Sequence, residues 1–174
     1  MNLNLNYKNM ELIRLDKDNY TEIEEMSAIA TAILKDYYDN IVGPVQNDYM
    51  LAKFQSIDGI TDQLNHNYQY YFINVDKINI GFIAYYKKGK DLYLSKLYIN
   101  KENRGKGYLR SILDYLINYC NDNNLGGIEL NVNKHNPTCM IYEHLGFKKI
   151  RSECNDIGSG YYMDDYVYYY KIEK

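Results

Sequence analysis

Tryptophan is absent from this chain of 174 residues, proline occurs twice and cysteine three times. Cys120, Cys139 and Cys154 are too few and too scattered for a metal-binding spacing. Their odd number argues against a disulfide framework, so they read as small buried residues in a reducing compartment. His66, His135 and His144 stand apart, and no Ser-His-Asp, Cys-His or metal set can be assembled from the sequence. No apolar run reaches the roughly 18 residues of a membrane helix, and no charged-then-apolar leader opens the chain. The expectation is a soluble, cytoplasmic protein with no membrane partner and no metal. A basic excess is missing as well: the formal charge is −3 and the pI about 5.6. That excludes a general nucleic-acid binder, which needs a cationic footprint.

Tyrosine, with 22 residues, is what the chain has in excess. The tyrosines are spread over predicted strands and helices and form no single platform. With no internal repeat, low-complexity segment or linker in view, residues 1–174 read as one domain. A chain of this length buries roughly 70% of the surface its unfolded form exposes, so it needs no staple.

The first nine residues are polar and Asn-rich and read as a ragged lead-in to a short strand, Met10 to Leu15. Thr21 and Glu24 have capping-box spacing, so a helix is expected from there. Ile23, Met26, Ala30, Ile33 and Tyr37 recur along one face of it. Gly43-Pro44 stops that helix, and further helical stretches follow at about 48–56 and 60–64. Three strands, 70–75, 80–86 and 92–99, are joined by short polar links and form a meander. Along the third, Leu92 and Leu94 are in one phase and Leu97 and Ile99 in the other, as a β-bulge or burial on both faces would produce. Leu109, Ile112, Leu113, Leu116 and Cys120 then make a helical stripe. Ile128, Leu130 and Val132 alternate with Glu129, Asn131 and Asn133 in a half-buried strand. Pro137 starts a helix that Gly146 closes. Two last strands, 147–153 and 166–172, flank a linker at 154–165 containing Gly158, Gly160, Asp164 and Asp165. Hairpins mixed with strand–helix–strand crossings indicate a mixed α/β sheet.

Chemistry concentrates at Arg104-Gly105-Lys106-Gly107-Tyr108-Leu109-Arg110, where a strand runs into a helix. Two glycines permit a tight turn and close approach to a ligand. The first helical turn offers amides without intrahelical acceptors, beside three cationic side chains. Such a loop is suited to phosphate or pyrophosphate. It lacks the Gly-x-x-x-x-Gly-Lys-Ser/Thr spacing that wraps a nucleoside triphosphate.

This segment resembles the acetyl-CoA-binding motif of the GCN5-related N-acetyltransferases (GNAT), Arg/Gln-x-x-Gly-x-Gly/Ala. Arg104 and Gly107 match it, while Leu109 stands where the family has Gly or Ala. Downstream, Asn136-Pro137 and Ile141-Tyr142-Glu143-His144-Leu145-Gly146-Phe147 are similar to the family's closing helix and Leu-Gly-Phe turn. The resemblance implies a central mixed, mostly antiparallel, twisted sheet of about six or seven strands with helices on both faces. It implies acetyl-CoA as co-substrate. Leu97, Tyr98 and Ile99 would hold the pantetheine arm and thioester, and Arg104, Gly105, Lys106, Gly107, Tyr108, Leu109 and Arg110 the pyrophosphate, with Asn136 a further carrier contact. Tyr142 would be the general acid that protonates the departing thiolate. Val42 to Met50 is the stretch expected to shape the acceptor pocket, and a homodimer is a common state in the family.

Acyl transfer also requires the acceptor ammonium to lose a proton. Glu129, on the polar face of its strand, is the sequence's candidate base, directly or through water. The leading reading is acetylation of a primary amine of a small molecule or peptide by direct attack on the thioester. The alternative is a non-catalytic acyl-CoA-binding or regulatory module of the same fold.

Overall fold

The computed structural model describes residues 3–5 and 7–173. Among them eight strands are hydrogen-bonded in the order β1-β2-β3-β4-β5-β6-β8-β7. These are β1 (Leu3–Asn4), β2 (Met10–Arg14), β3 (Gln69–Val75), β4 (Ile78–Lys88), β5 (Asp91–Ile99), β6 (Gly127–Asn133), β7 (Lys148–Gly158) and β8 (Tyr161–Lys171). Five helices accompany them: α1 (Tyr20–Val42), α2 (Pro44–Phe54), α3 (Ile57–Asn65), α4 (Tyr108–Asp122) and α5 (Thr138–His144). The sheet is mixed and open, mostly antiparallel, with β5 and β6 parallel through Leu92↔Ile128 and Tyr93↔Glu129. Contacts group the chain into two compact units, one running up to Tyr86 with Lys96–Ile112, the other Lys87–Ser95 with the chain from Leu113 onward.

In the first unit, α1 begins at Asn19, not at the Thr21–Glu24 box. The Asn19 side chain accepts from the Glu22 amide and donates from Nδ2 to Glu22 Oε1 at 2.9 Å. Two boxes two residues apart compete here, and asparagine is the better N-cap. The face Ile23, Met26, Ala30 and Ile33 is buried as its spacing predicts, while Tyr37 is half-buried. Gly43, at φ 85°, separates α1 from α2, and Pro44 takes the first position of α2, where its missing N–H costs nothing. Residues 44–47, expected as loop, are therefore helical. Asn47 is buried there, donating to Leu34 O and, at 2.7 Å, to Asp39 Oδ1. The α1 face packs with Leu51, Ile60, Tyr70, Phe72, Phe82 and Ala84 in a single core, each large side chain contributing about 1.5–3 kcal/mol by leaving water.

In the second unit, Ile128, Leu130 and Val132 are buried, as are Leu113, Leu116 and Cys120 of α4. The linker expected over 154–165 is instead a hairpin. Both strands continue across it and turn at Gly158-Ser159-Gly160, all with positive φ. Outer strand β7 is largely exposed, so its polar run Arg151-Ser152-Glu153-Cys154-Asn155-Asp156 carries no apolar alternation to read. Charge on an edge strand is itself a normal guard against stray pairing.

Candidate active site

The cradle forms where β5 ends. A 3-10 turn, Lys101–Asn103, leads into Arg104 in extended backbone, then Gly105 at φ 73° and Gly107 at φ 90°, and α4 starts at Tyr108. A Cβ at Gly105 would meet nothing within 4 Å, whereas one at Gly107 would lie 2.4 Å from the Tyr7 hydroxyl. Tyr7 donates to Lys106 O at 2.9 Å, Lys8 Nζ donates to the same carbonyl at 3.0 Å, and the Tyr7 ring meets Tyr108 edge-on at 5.9 Å. The lead-in expected over the first nine residues is thus ordered where it is described, at Leu3–Leu5 and Tyr7–Asn9; Met1, Asn2 and Asn6 lie outside the described residues. No local pattern announces this contact, since it joins residues 99 apart in the chain.

The cations of the loop have distinct placements. Arg104 turns back: Nε donates to Ile99 O at 2.8 Å, the guanidinium lies 4.8 Å over the Tyr37 ring, and Asp36 is 3.8 Å away. Lys106 Nζ donates to Asn103 Oδ1 at 2.9 Å, and Arg110 is exposed on the first turn of α4. At the helix start Tyr108 is the buried residue and Leu109 is half-buried. The two left-handed glycines and the helix start fit an anionic pyrophosphate, whose oxygens can take first-turn amides.

Leu97, Tyr98 and Ile99 are half-buried at the end of β5. Gly81 lets β4 lie against the Tyr98 carbonyl, because a Cβ there would sit 2.1 Å from that oxygen. The Tyr98 phenol is 3.3 Å from that of Tyr38, and its ring is 5.4 Å from Phe82. Sequence reasoning missed the residue just before them. Burial along β5 alternates through Leu92, Leu94 and Lys96, so the break in the apolar phase is a lysine at a buried position. Lys96 is 8% exposed, with Nζ 2.5 Å from Gln63 Oε1 and 5.3 Å from the ring centres of Tyr68 and Tyr70. Burial pulls its ammonium down to about 7.

In the second unit, Tyr142 lies half-buried on α5, its ring edge-on to Phe147 at 5.3 Å, and its carbonyl accepts from the Phe147 amide at 3.0 Å. Asn136 is buried just before α5, whose N-cap is Pro137, with Oδ1 accepting from the Thr138 amide at 2.9 Å and from the Thr138 hydroxyl at 2.7 Å. Glu129 is held in a network: Lys88 Nζ donates at 2.7 Å, and Arg151 donates through both terminal nitrogens at 3.1 and 3.2 Å. Burial opposes its charge, but the hydrogen bonds from Arg151 and Lys88 outweigh that and hold its carboxyl below the ordinary range. A carboxylate so stabilised is a weak proton acceptor.

The sequence matches the family described as acetyltransferase (GNAT) domain over residues 29–162. The chain belongs to the GNAT acetyltransferase family. It is accordingly an N-acetyltransferase, with acetyl-CoA as donor and an amine as acceptor. Solved GNAT structures share the fold. The PaiA N-acetyltransferase of Thermoplasma acidophilum, in complex with coenzyme A, superposes with a TM-score of 0.72 at 18% identity, over 93% of this chain and 98% of that one. A GCN5-related N-acetyltransferase from Rhodopseudomonas palustris gives 0.75 at 12% identity, over 92% and 94%. A GNAT acetyltransferase from Staphylococcus aureus gives 0.67 at 22% identity, over 94% and 99%. No curated protein matches the sequence. The eight described strands exceed the six or seven expected of a GNAT sheet because the two-residue β1 carries no sequence pattern. Among the described residues no helix is long and apolar enough to cross a membrane.

Proposed function

We propose that this GNAT domain, spanning the whole chain, acetylates a primary amine of a small molecule or peptide in the cytoplasm by direct attack of the amine on the thioester of acetyl-CoA. The observation that carries this reading is the loop of two left-handed glycines between β5 and α4. It supports pyrophosphate binding by Gly105, Lys106, Gly107, Tyr108, Leu109 and Arg110. Arg104 contributes by tying the loop to Ile99 O and α1, since its guanidinium is already engaged there. Backbone groups of Leu97, Tyr98 and Ile99 receive the pantetheine arm and the thioester. Asn136 supports this mainly by holding Thr138 at the start of the helix that carries Tyr142. Tyr142 is the general acid: its phenol donates a proton to the leaving sulfur and recovers one from the amide nitrogen formed. Thiol release from acetyl-CoA across a panel of primary amines, with Tyr142→Phe alongside, tests the assignment. Amine-dependent release that the variant loses supports it; tight CoA binding without turnover would leave an acyl-CoA-binding module.

A further inference from the structure

Lys106 lies between the two left-handed glycines, so its peptide with Gly107 is the least constrained unit of the loop. Glycine takes φ of either sign at little cost, and Gly107, at φ 90°, can pass to a negative φ by a flip of that peptide. A fixed orientation therefore has to be imposed from outside the loop. The segment before β2 does this. The Tyr7 hydroxyl donates to Lys106 O at 2.9 Å and Lys8 Nζ donates to the same oxygen at 3.0 Å, which fills both acceptor sites of that carbonyl. The two side chains converge because Lys8 and Asn9 are left-handed, at φ 46° and 53°, a conformation few non-glycine residues adopt. The turn is itself anchored: the Met10 amide donates to Tyr7 O at 2.9 Å, the Leu5 amide to Met10 O at 3.0 Å, and Asn9 Nδ2 to Asp76 Oδ1 at 2.8 Å. The Tyr7 ring rests edge-on against Tyr108, with the Lys8 ammonium 5.2 Å from the first ring centre and 5.9 Å from the second.

In a trans peptide the C=O and the N–H point in opposite directions. With Lys106 O turned to Tyr7 and Lys8, the Gly107 N–H faces away from them, and among the described residues it has no acceptor. Hydrogen bonds to a carbonyl also polarise its peptide, so the N–H on the far side becomes a stronger donor. Here one of the two donors carries a full charge. We propose that Tyr7 and Lys8 are positioning residues of the acetyl-CoA site: by gripping Lys106 O they hold the Gly107 amide aimed and polarised for an oxygen of the CoA pyrophosphate. The inference rests on the cradle reading above. Neither side chain has to touch the phosphate. Each acts through the peptide between Lys106 and Gly107, from a position 98 or 99 residues earlier in the chain.

The test compares wild type, Tyr7→Phe, Lys8→Met and Lys8→Arg, each the whole chain labelled with 15N-glycine. Tyr7→Phe removes one hydroxyl and keeps the ring on Tyr108, while Lys8→Arg keeps a charged donor. Titrated with CoA, Tyr7→Phe and Lys8→Met should each bind about 2- to 12-fold more weakly, the fold-change of one lost hydrogen bond, and Lys8→Arg should stay close to wild type. The Gly107 amide signal is identified by its absence from Gly107→Ala. On adding CoA its proton should move downfield in wild type, as a proton donated to an anion does, and by clearly less in Tyr7→Phe and Lys8→Met. With 3′-dephospho-CoA, which keeps the pyrophosphate alone, wild type should show the same displacement. Wild-type CoA affinity in both Tyr7→Phe and Lys8→Met would overturn the inference and leave the cradle standing. So would an undiminished Gly107 displacement in those variants, its loss with 3′-dephospho-CoA, or Lys8→Arg as impaired as Lys8→Met. A wild type in which saturating CoA moves neither the Gly105 nor the Gly107 amide would overturn both.

Discussion

Alanine at the two cradle glycines separates backbone strain from steric contact. Both positions have positive φ, 73° at Gly105 and 90° at Gly107, which costs a residue with a Cβ about 1–2 kcal/mol. At Gly105 nothing lies within 4 Å of the new methyl, so strain is the whole effect. At Gly107 the methyl would lie 2.4 Å from the Tyr7 hydroxyl and displace it, and with it the bond to Lys106 O. A hydrogen bond of this kind is worth about 0.5–1.5 kcal/mol net. Both glycines are exposed, so the free loop can relax and the cost then falls on CoA binding. At 1.4 kcal/mol per tenfold, Gly105→Ala should weaken CoA about 5- to 30-fold and Gly107→Ala about a further 2- to 12-fold. Isothermal titration of each variant with CoA measures this, and in a Tyr7→Ala background, where that bond is already lost, Gly107→Ala should cost no more than Gly105→Ala does. Equal affinities for the two glycine variants would refute the role given to Tyr7, and wild-type affinity in both would refute the cradle.

Tyr142→Phe should lower kcat about 10²-fold, the low end for loss of a general acid, with CoA affinity unchanged; single-turnover rates and titration separate the two. Glu129→Gln should leave kcat in place and lower Tm, because its carboxylate anchors Lys88 and Arg151; a collapse of kcat at unchanged stability would instead make Glu129 the base. Asp165, 4% exposed, has its carboxyl raised to about 6, chiefly by burial, with Asp164 and Glu153 adding to it and Asn131 opposing. A raised folded-state carboxyl binds more protons than the unfolded chain, so stability falls as pH rises from about 4 to 6. Asp165→Asn should flatten that slope and raise Tm at pH 7; unchanged melting curves across the range would count against it.

The meander, the α4 stripe and the glycine loop were legible because each depends on a local pattern: alternation, helical spacing, or a turn that needs positive φ. The family resemblance of Arg104 and Gly107 rested on the same local signals. What stayed hidden depends on distant partners. Arg104 looks like a phosphate ligand until Asp36, Tyr37 and Ile99 O are seen around it, and Tyr7 looks like part of a loose terminus until it reaches Lys106. Lys96 is hidden because a charged residue in a strand suggests the solvent face. Its burial requires Gln63 and the two tyrosines, and none of them is adjacent in sequence. Hairpin β7–β8 is legible only at its apolar ends, since an exposed edge strand gives composition no reason to alternate.

The most direct measurement is CoA thiol release on adding a primary amine to wild-type protein and acetyl-CoA, with the acetylated amine identified by mass. Release equal to acetylated product, strongly reduced in Tyr142→Phe, is the predicted result. Saturable CoA binding with no amine-dependent release from any amine, peptide or polyamine would contradict the account.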